Sequence, residues 1–459
     1  MSVFKENDIR GLYPEEWNNE TVSLIAEALP GIMKGERFVI GMDGRDSSHE
    51  IRDTLVKGLL EKGIDVTVIG VVDTPAVYFS VGNYSFDGGI MITASHNPAG
   101  YNGLKLTGQN VAPIEYETGI RELEIQVNKL RFLHTHQKET KSSSINPGTL
   151  SEMDITSDYV AYLEKFKINN KECKVIFDCS NGSAGRFINQ IVKGFPGTVK
   201  VLNSEIDGSF PNHGPNPSVP ENLEQLKKSV LDERAEIGFC FDGDGDRVVM
   251  IDERGEIVSP DLITAILGIY YLKYSVYKDD PRLKVLVDIR SSRNIRDFLI
   301  GMGADVETCP VGHAKIKKQM RGSDALFAGE LTGHYYFKEN YFSDSPWLTI
   351  FQVLGVLSFE KKSLKCLKEE ILKYEFSGEL NYKIDTDVDA TIQYLVEKYS
   401  EADISLLDGY KFDYPDWWFI IRKSGTEPLL RLVAEAKTKD LLESKLKDII
   451  PVLEGRILV

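Results

Sequence analysis

The chain has 459 residues, 42% of them apolar and 27% charged, and a formal net charge of −16. That length exceeds what a single hydrophobic core serves, so three or four domains are expected. The acidic balance argues against nucleic acid or an anionic membrane as partner, because both reward a basic surface. An anionic metabolite would have to be held by local basic groups against the overall field.

The five cysteines, Cys173, Cys179, Cys240, Cys309 and Cys366, are odd in number and form no C-x-x-C pair. Neither a disulfide framework nor a zinc site is therefore expected. Met1 to Arg10 carries four charged residues and no apolar run, so no signal peptide is expected. The longest apolar stretch, Leu262 to Leu272, is too short to span a bilayer and predicts a buried helix. A reducing cytoplasm fits these features best.

Along the chain one unit recurs. Phe38 to Asp43, Val175 to Asp178 and Val285 to Asp288 are β-rich runs ending in aspartate. Each is followed by a Gly/Ser-rich loop, a helical pattern and a further strand (Val66 to Val71, Thr198 to Leu202, Ala304 to Thr308), which predicts βαβ units and parallel sheet. Each unit then adds an apolar strand running into a polar loop: Gly89 to Ile92 before Ser95, Ile237 to Phe241 before Asp242, and Ala325 to Ala328 before Glu330. Ligands of open α/β sheets collect beyond the carboxyl ends of strands, so three such loops are expected to share one cleft.

Polar linkers at Lys138 to Gly148, near Glu253 to Ser259 and near Lys373 to Glu379 divide the chain. The expected domains are 1–148, 149–255 and 256–373, all α/β, and 374–459. The last differs in character: a helix over Asp389 to Tyr399, strands around Trp417 to Ile421 and Leu430 to Ala434, and an amphipathic helix from Lys439 predict a small α+β domain.

Four loops carry chemistry. In Thr93-Ala94-Ser95-His96-Asn97-Pro98 a serine follows a buried-looking strand, with Lys105 close by in sequence. No G-x-S-x-G surrounds Ser95, so a hydrolase elbow is excluded. The adjacent His96 says little, because such pairs commonly satisfy turn backbone. Asp242, Asp244 and Asp246 offer hard oxygen ligands at alternate positions around Gly243 and Gly245, which suits Mg²⁺. A calcium loop is disfavoured: Glu253 matches its twelfth position, but Arg247 stands where glycine is required. Three carboxylates without a cation would repel one another.

The third loop, Glu330 to His334, places a carboxylate, the Thr332 hydroxyl and an imidazole between two glycines. It suits vicinal sugar hydroxyls, with an ordinary surface loop as competitor. The fourth, Arg422 to Pro428 with Arg431 beyond, combines cations, hydroxyls and an open backbone into a phosphate nest; a solvated basic turn is the alternative. Arg247 and His313 are further candidate substrate contacts, although a lone histidine is more often structural.

These loops, in this order and with Phe4 to Gly11 at the start, resemble the α-D-phosphohexomutase family, in particular its bacterial and archaeal phosphomannomutase/phosphoglucomutase branch. The resemblance covers the whole chain. It implies four domains around a central cleft, three sharing an α/β core with mixed sheets and the last a smaller, mobile α+β lid. It implies that Ser95 is phosphorylated in the active enzyme, and that Asp242, Asp244 and Asp246 bind Mg²⁺ together with that phosphoserine. Glu330 and Thr332 match the positions that hold the 3- and 4-hydroxyls of the sugar. Arg422, Ser424, Gly425 and Thr426 match the loop that grips the phosphate not in transfer.

The chain departs from the family pattern in carrying Thr332 where serine is common and Asn7 where tyrosine is common. Ser424-Gly425-Thr426 also occurs in phosphoglucosamine mutases, whereas Pro211 to Pro217 looks more like the mannose/glucose branch. The implied activity interconverts hexose 1-phosphate and hexose 6-phosphate, with a hexose 1,6-bisphosphate as intermediate and activator and phosphoglucosamine mutase as the alternative. Lys105 and His334, with His313 behind them, are the candidates to take the hydroxyl proton. Arg10, whose guanidinium scarcely deprotonates, is assigned to electrostatic positioning. Monomer and dimer are both compatible with the sequence.

Overall fold

The computed structural model describes residues 2–136, 146–168, 172–281, 283–383, 388–423 and 429–454. Side-chain alternation in the strand Arg37–Met42 organises the first domain, because successive residues of a strand face opposite sides of its sheet. Phe38, Ile40 and Met42 pack with apolar residues of the helices Asn19–Ile32, Asp46–Glu61 and Ile120–His136. Val39 faces the other way, toward the helix Thr74–Asn83. That helix starts where it does because Pro75 occupies its first turn and the Asp73 carboxylate accepts the N–H of Ala76, a standard cap.

The sheet of this domain runs Ile9–Leu12, Tyr101–Thr107, Gly88–Ile92, Arg37–Met42, Asp65–Val71, Leu150–Glu152, and Pro113–Ile114 adds to Tyr101–Thr107. The last strand in this order lies beyond the polar linker at 138–148 and still pairs in parallel with Asp65–Val71. The second sheet runs Ile257–Val258, Val248–Asp252, Ile237–Phe241, Cys173–Asp178, Gly197–Leu202. The third runs Asp305–Cys309, Lys284–Asp288, Phe327–Gly329, Tyr335–Phe337, Ser343–Asp344. All three are mixed for the same reason. The βαβ strands are parallel, and after each polar loop the chain turns back antiparallel: Tyr101–Thr107 on Gly88–Ile92, Val248–Asp252 on Ile237–Phe241, and Tyr335–Phe337 on Phe327–Gly329.

The loops that follow Gly88–Ile92, Ile237–Phe241 and Phe327–Gly329 meet, Ser95 against Asp242 and Arg247 against His334. One apolar cluster threads all three domains, from Val39, Phe79 and Met91 through Phe177 and Phe239 to Phe327 and Trp347. The predicted buried helix is Pro260–Lys273, part of that cluster. The fourth domain is an antiparallel five-stranded sheet, Glu375–Lys383, Leu429–Ala436, Trp417–Lys423, Tyr410–Asp413, Asp403–Ser405, with helices Val388–Lys398 and Lys439–Leu453 and a core of its own. It joins the third domain through a small cluster of Ile289, Trp418, Ile420 and Val433. Arg293 adds polar links, its guanidinium bonding the carbonyls of Tyr414 and Pro415 at 2.5 and 3.2 Å. Among the described residues no helix is long and apolar enough to cross a membrane.

Candidate active site

The turn after Gly88–Ile92 holds Ser95 in the left-handed region, at φ 50°. Its backbone N–H bonds the Thr93 hydroxyl at 2.8 Å, and its own Oγ donates to Oδ2 of Asp242 at 2.9 Å. His96 Nδ1 lies 3.3 Å from the same Oγ. The two loops touch because Gly243 has no side chain: a Cβ there would stand 2.6 Å from the Ser95 carbonyl oxygen.

Asp242, Asp244 and Asp246 are all buried, and one carboxylate oxygen of each falls within 4.8 Å of the others. Asp242 Oδ1 accepts the N–H groups of Asp246 and Arg247 at 3.1 and 3.2 Å. Asp244 Oδ2 accepts from the Thr74 hydroxyl and from Lys105 Nζ, both at 2.6 Å. Lys105 also pairs with Asp246. Oδ1 of Asp244 and Oδ1 of Asp246 are buried without hydrogen-bond partners. Burial, then the charges of Asp246 and Asp244, push the Asp242 carboxyl well above the usual carboxylate range. Burial acts the same way on Asp246, but Lys105, His334 and Arg247 outweigh it and hold that carboxyl well below the range. Three oxygen donors, two with orphaned atoms, fit a hard divalent cation. The disfavoured calcium loop is not formed, since Asp246 and Arg247 lead directly into the strand Val248–Asp252.

Lys105 was a candidate proton acceptor. Burial disfavours its charge, yet Asp244 and Asp246 more than offset that and push its ammonium above the ordinary lysine range. Here it is a cation lodged between the two carboxylates. Arg10, on the strand Ile9–Leu12, sits opposite Gly103 of Tyr101–Thr107. It pairs with Asp8 and donates to Asn97 Oδ1 at 2.8 Å, so it supports the serine loop.

The third loop arrives from the other side. His334 Nε2 accepts from Arg247 Nε at 2.9 Å, which leaves its proton on Nδ1, 3.1 Å from the Asp246 carbonyl and 3.4 Å from Asp344 Oδ2. Glu330 accepts from the Tyr336 hydroxyl at 2.8 Å and faces Arg290 at 3.5 Å. Thr332 Oγ1 is buried without a partner. His313 opens the helix His313–Ser323. Burial, then Lys317 and Lys105, keep its imidazole neutral, well below the usual range, and its Nδ1 is buried without a partner. For His96 burial, then Arg247 and Arg10, act the same way.

In the fourth domain Arg422 Nη2 lies 3.1 Å from each carboxylate oxygen of Asp408, and Arg431 Nη1 bonds Glu379 at 3.2 Å. Glu379 also accepts from Arg290 at 2.9 Å, so Arg431 and Glu330 belong to one connected network. Ser424, Gly425 and Thr426 lie outside the described residues.

Sequence reasoning missed several groups here. Arg45 and Arg290 each pair with the aspartate two residues before, Asp43 and Asp288. The repeated D-x-R in two of the three units was the available signal. In the second unit Ser180 takes the arginine's place, and Asp178 is met by His213 from a later loop at 3.1 Å. Lys317 is buried between the rings of Tyr78 and Tyr336, 3.9 and 5.8 Å away, and faces Asp344 at 3.5 Å. No periodicity announces it.

The four domain descriptions of phosphoglucomutase/phosphomannomutase, α/β/α domains I, II and III and the C-terminal domain, match residues 1–134, 157–255, 259–374 and 387–451. A phosphomannomutase of Escherichia coli is 31% identical over 470 residues, covering 99% of both chains. A phosphomannomutase/phosphoglucomutase of Pseudomonas aeruginosa is 32% identical over 449 residues, covering 96% of this chain and 93% of that one. A solved phosphoglucomutase/phosphomannomutase family protein from Burkholderia thailandensis superposes with a TM-score of 0.86 at 28% identity, covering 99% and 97%. With matches in all four domains and a shared fold from end to end, the chain belongs to the phosphoglucomutase/phosphomannomutase family.

Proposed function

We propose that this enzyme interconverts hexose 1-phosphate and hexose 6-phosphate, with mannose or glucose as the sugar, through a phosphorylated Ser95. The observation that carries the reading is the seryl hydroxyl aimed at a cradle of three carboxylates. A phosphoryl group on Ser95 would bring about two negative charges there. Mg²⁺ held by Asp242, Asp244 and Asp246 would supply charge neutralisation at the transferring oxygens.

The remaining work falls to the chain's own groups. Glu330 and Thr332 would bind two sugar hydroxyls. Arg422, Arg431 and the 424–426 loop would hold the phosphate that stays. The P–Oγ bond breaks as a P–O bond forms to the free sugar hydroxyl, and positioning supplies much of the acceleration. His313 is the candidate to take the hydroxyl proton: it is neutral, its Nδ1 has no partner, and Lys105 and His334 Nε2 are already engaged. The bisphosphate then turns end for end and returns its other phosphoryl group to Ser95. A hexose 1,6-bisphosphate would accordingly act as activator. The cysteines, none of them in a disulfide and three of them buried, support a cytoplasmic location.

A coupled assay on mannose, glucose and glucosamine 1-phosphates, with catalytic bisphosphate, tests the reading. Formation of a 6-phosphate by the parent chain and none by Ser95→Ala is expected. Equal turnover by the variant, or exclusive use of the glucosamine substrate, would replace it.

A further inference from the structure

The Asp43–Arg45 pair has a task beyond the fold of its own domain. A guanidinium has five N–H donors, and all five of Arg45, itself 1% exposed, are engaged. Nε meets Asp43 at 2.9 Å. Nη1 bonds the carbonyls of Pro98 and Tyr101 at 2.6 and 3.0 Å, and Nη2 those of Ser95 and Asn97 at 2.8 and 2.7 Å. Three of the five acceptors thus belong to the single turn that carries the nucleophile, and a fourth to the first residue of the strand that follows it. That turn keeps Ser95 in a backbone region that non-glycine residues rarely occupy, a conformation that persists only where its surroundings over-determine it.

The second domain closes over this guanidinium from behind. The Phe210 ring lies 5.1 Å from it, Phe210 itself at φ 52°. Gly208 packs against the Arg45 backbone so closely that any Cβ would collide with it. Phe210 and Pro215 also flank Gly243, the residue in contact with the Ser95 carbonyl. Asp207 N–H to the Asn181 carbonyl, Asn212 to Asn181 Oδ1 at 2.9 Å, and His213 to Asp178 moor this segment in the second domain. The serine turn is therefore gripped on both sides by one domain, by the acidic loop in front and by residues 207–215 behind.

We propose that Arg45, capped by Phe210, is a positioning residue for phosphoryl transfer, holding the seryl oxygen in register with the acidic loop; this rests on the phosphohexomutase reading above. On a phosphorylated Ser95 the sugar hydroxyl competes with water. Both attacks break the P–Oγ bond. One forms a P–O bond to the sugar, its hydroxyl proton leaving to a base while a proton passes to the seryl oxygen. The other forms a P–O bond to water, a proton passes to the seryl oxygen, and inorganic phosphate is released. A loosened turn slows the first, which needs alignment of two large partners, more than the second.

The test compares kcat, KM, inorganic phosphate released per turnover and melting temperature for the parent, Phe210→Ala and Arg45→Lys, with glucose 1-phosphate and catalytic bisphosphate. Phe210, half-buried at the domain contact, is the safer variant for folding. Its alanine form is expected to lose about tenfold in kcat with KM within about twofold, and to release about tenfold more phosphate per turnover. Arg45→Lys is expected to lose about a hundredfold in kcat, the scale of a small misplacement of reacting groups. A Phe210→Ala enzyme with parental kcat and phosphate release overturns the proposal, as does a loss of kcat that only tracks the fraction of melted protein. A parent that releases phosphate without forming 6-phosphate overturns the phosphohexomutase reading instead.

Discussion

The hydroxyl of Ser95 and the carboxylate of Asp242, 147 residues apart in the chain, meet at 2.9 Å. On the proposed reading Ser95 carries the covalent step, so Ser95→Ala should lose at least about 10³-fold in turnover on mannose and glucose 1-phosphates. Added bisphosphate should not restore it. The coupled assay, run with and without the activator, checks both statements.

Asp244 contributes one oxygen to Lys105 and Thr74 and leaves the other without a partner. Asp244→Asn removes one of three mutually repelling buried carboxylates. The variant should remain folded but bind Mg²⁺ at least about tenfold more weakly by calorimetry, and the thermal shift that Mg²⁺ produces should shrink with it. An unchanged magnesium affinity would take Asp244 out of the cation site.

How much of this was written in the sequence depends on the kind of signal. The strands Arg37–Met42, Ile237–Phe241 and Trp417–Lys423 were legible because apolar runs between turn residues have a period. The acidic loop was legible because its three carboxylates are local in sequence. Lys317 and Asp344 reach the site from the helix His313–Ser323 and the strand Ser343–Asp344, and nothing in their neighbours marks them as facing a cleft. Lys105 was legible as a site residue but not as a cation, because its charge is fixed by two carboxylates that lie on a different domain. For Arg45 the D-x-R repeat marks the pair with Asp43, but its other four acceptors are backbone carbonyls, which leave no trace in residue identity.

His213 replaces, in the second domain, the arginine that pairs with the strand-end aspartate in the first and third. Burial disfavours its imidazolium, but the hydrogen bond and charge of Asp178 outweigh that and raise its pKa above the ordinary 6.5. A raised folded pKa means stabilisation that is complete below pH 6.5 and is lost as pH rises through the higher folded value. The melting temperature of the parent should therefore exceed that of His213→Gln most at pH 5.5, and the gap should narrow toward pH 8.5. A gap that widens with pH would show that the imidazole is held neutral.

Lys411 behaves in the opposite sense. Its ammonium, between the Trp418 ring at 4.0 Å and the Ile289 carbonyl at 3.3 Å, is pulled down to about 8 by burial and then by Arg293. A depressed lysine pKa costs stability at and below pH 8, and that cost fades as pH rises toward the unfolded value near 10.5. Lys411→Met should therefore strengthen the seat of the fourth domain on the third by about 1–3 kcal/mol at pH 7, with the difference vanishing by about pH 10.5. Protease cleavage rates between the two domains, measured across that range, give the readout.

The apolar cluster that runs unbroken from Val39 through Phe239 to Trp347 casts the floor and two walls of the cleft as one piece. Ser95, the aspartates and Glu330 cannot drift relative to one another without tearing that core open. The fourth domain, by contrast, meets the third through a small apolar cluster, Ile289, Trp418, Ile420 and Val433 with Val311 and Phe376 packed against it. Ser95, the aspartates and Glu330 are thus seated around one core, and Arg422 and Arg431 on strands of another.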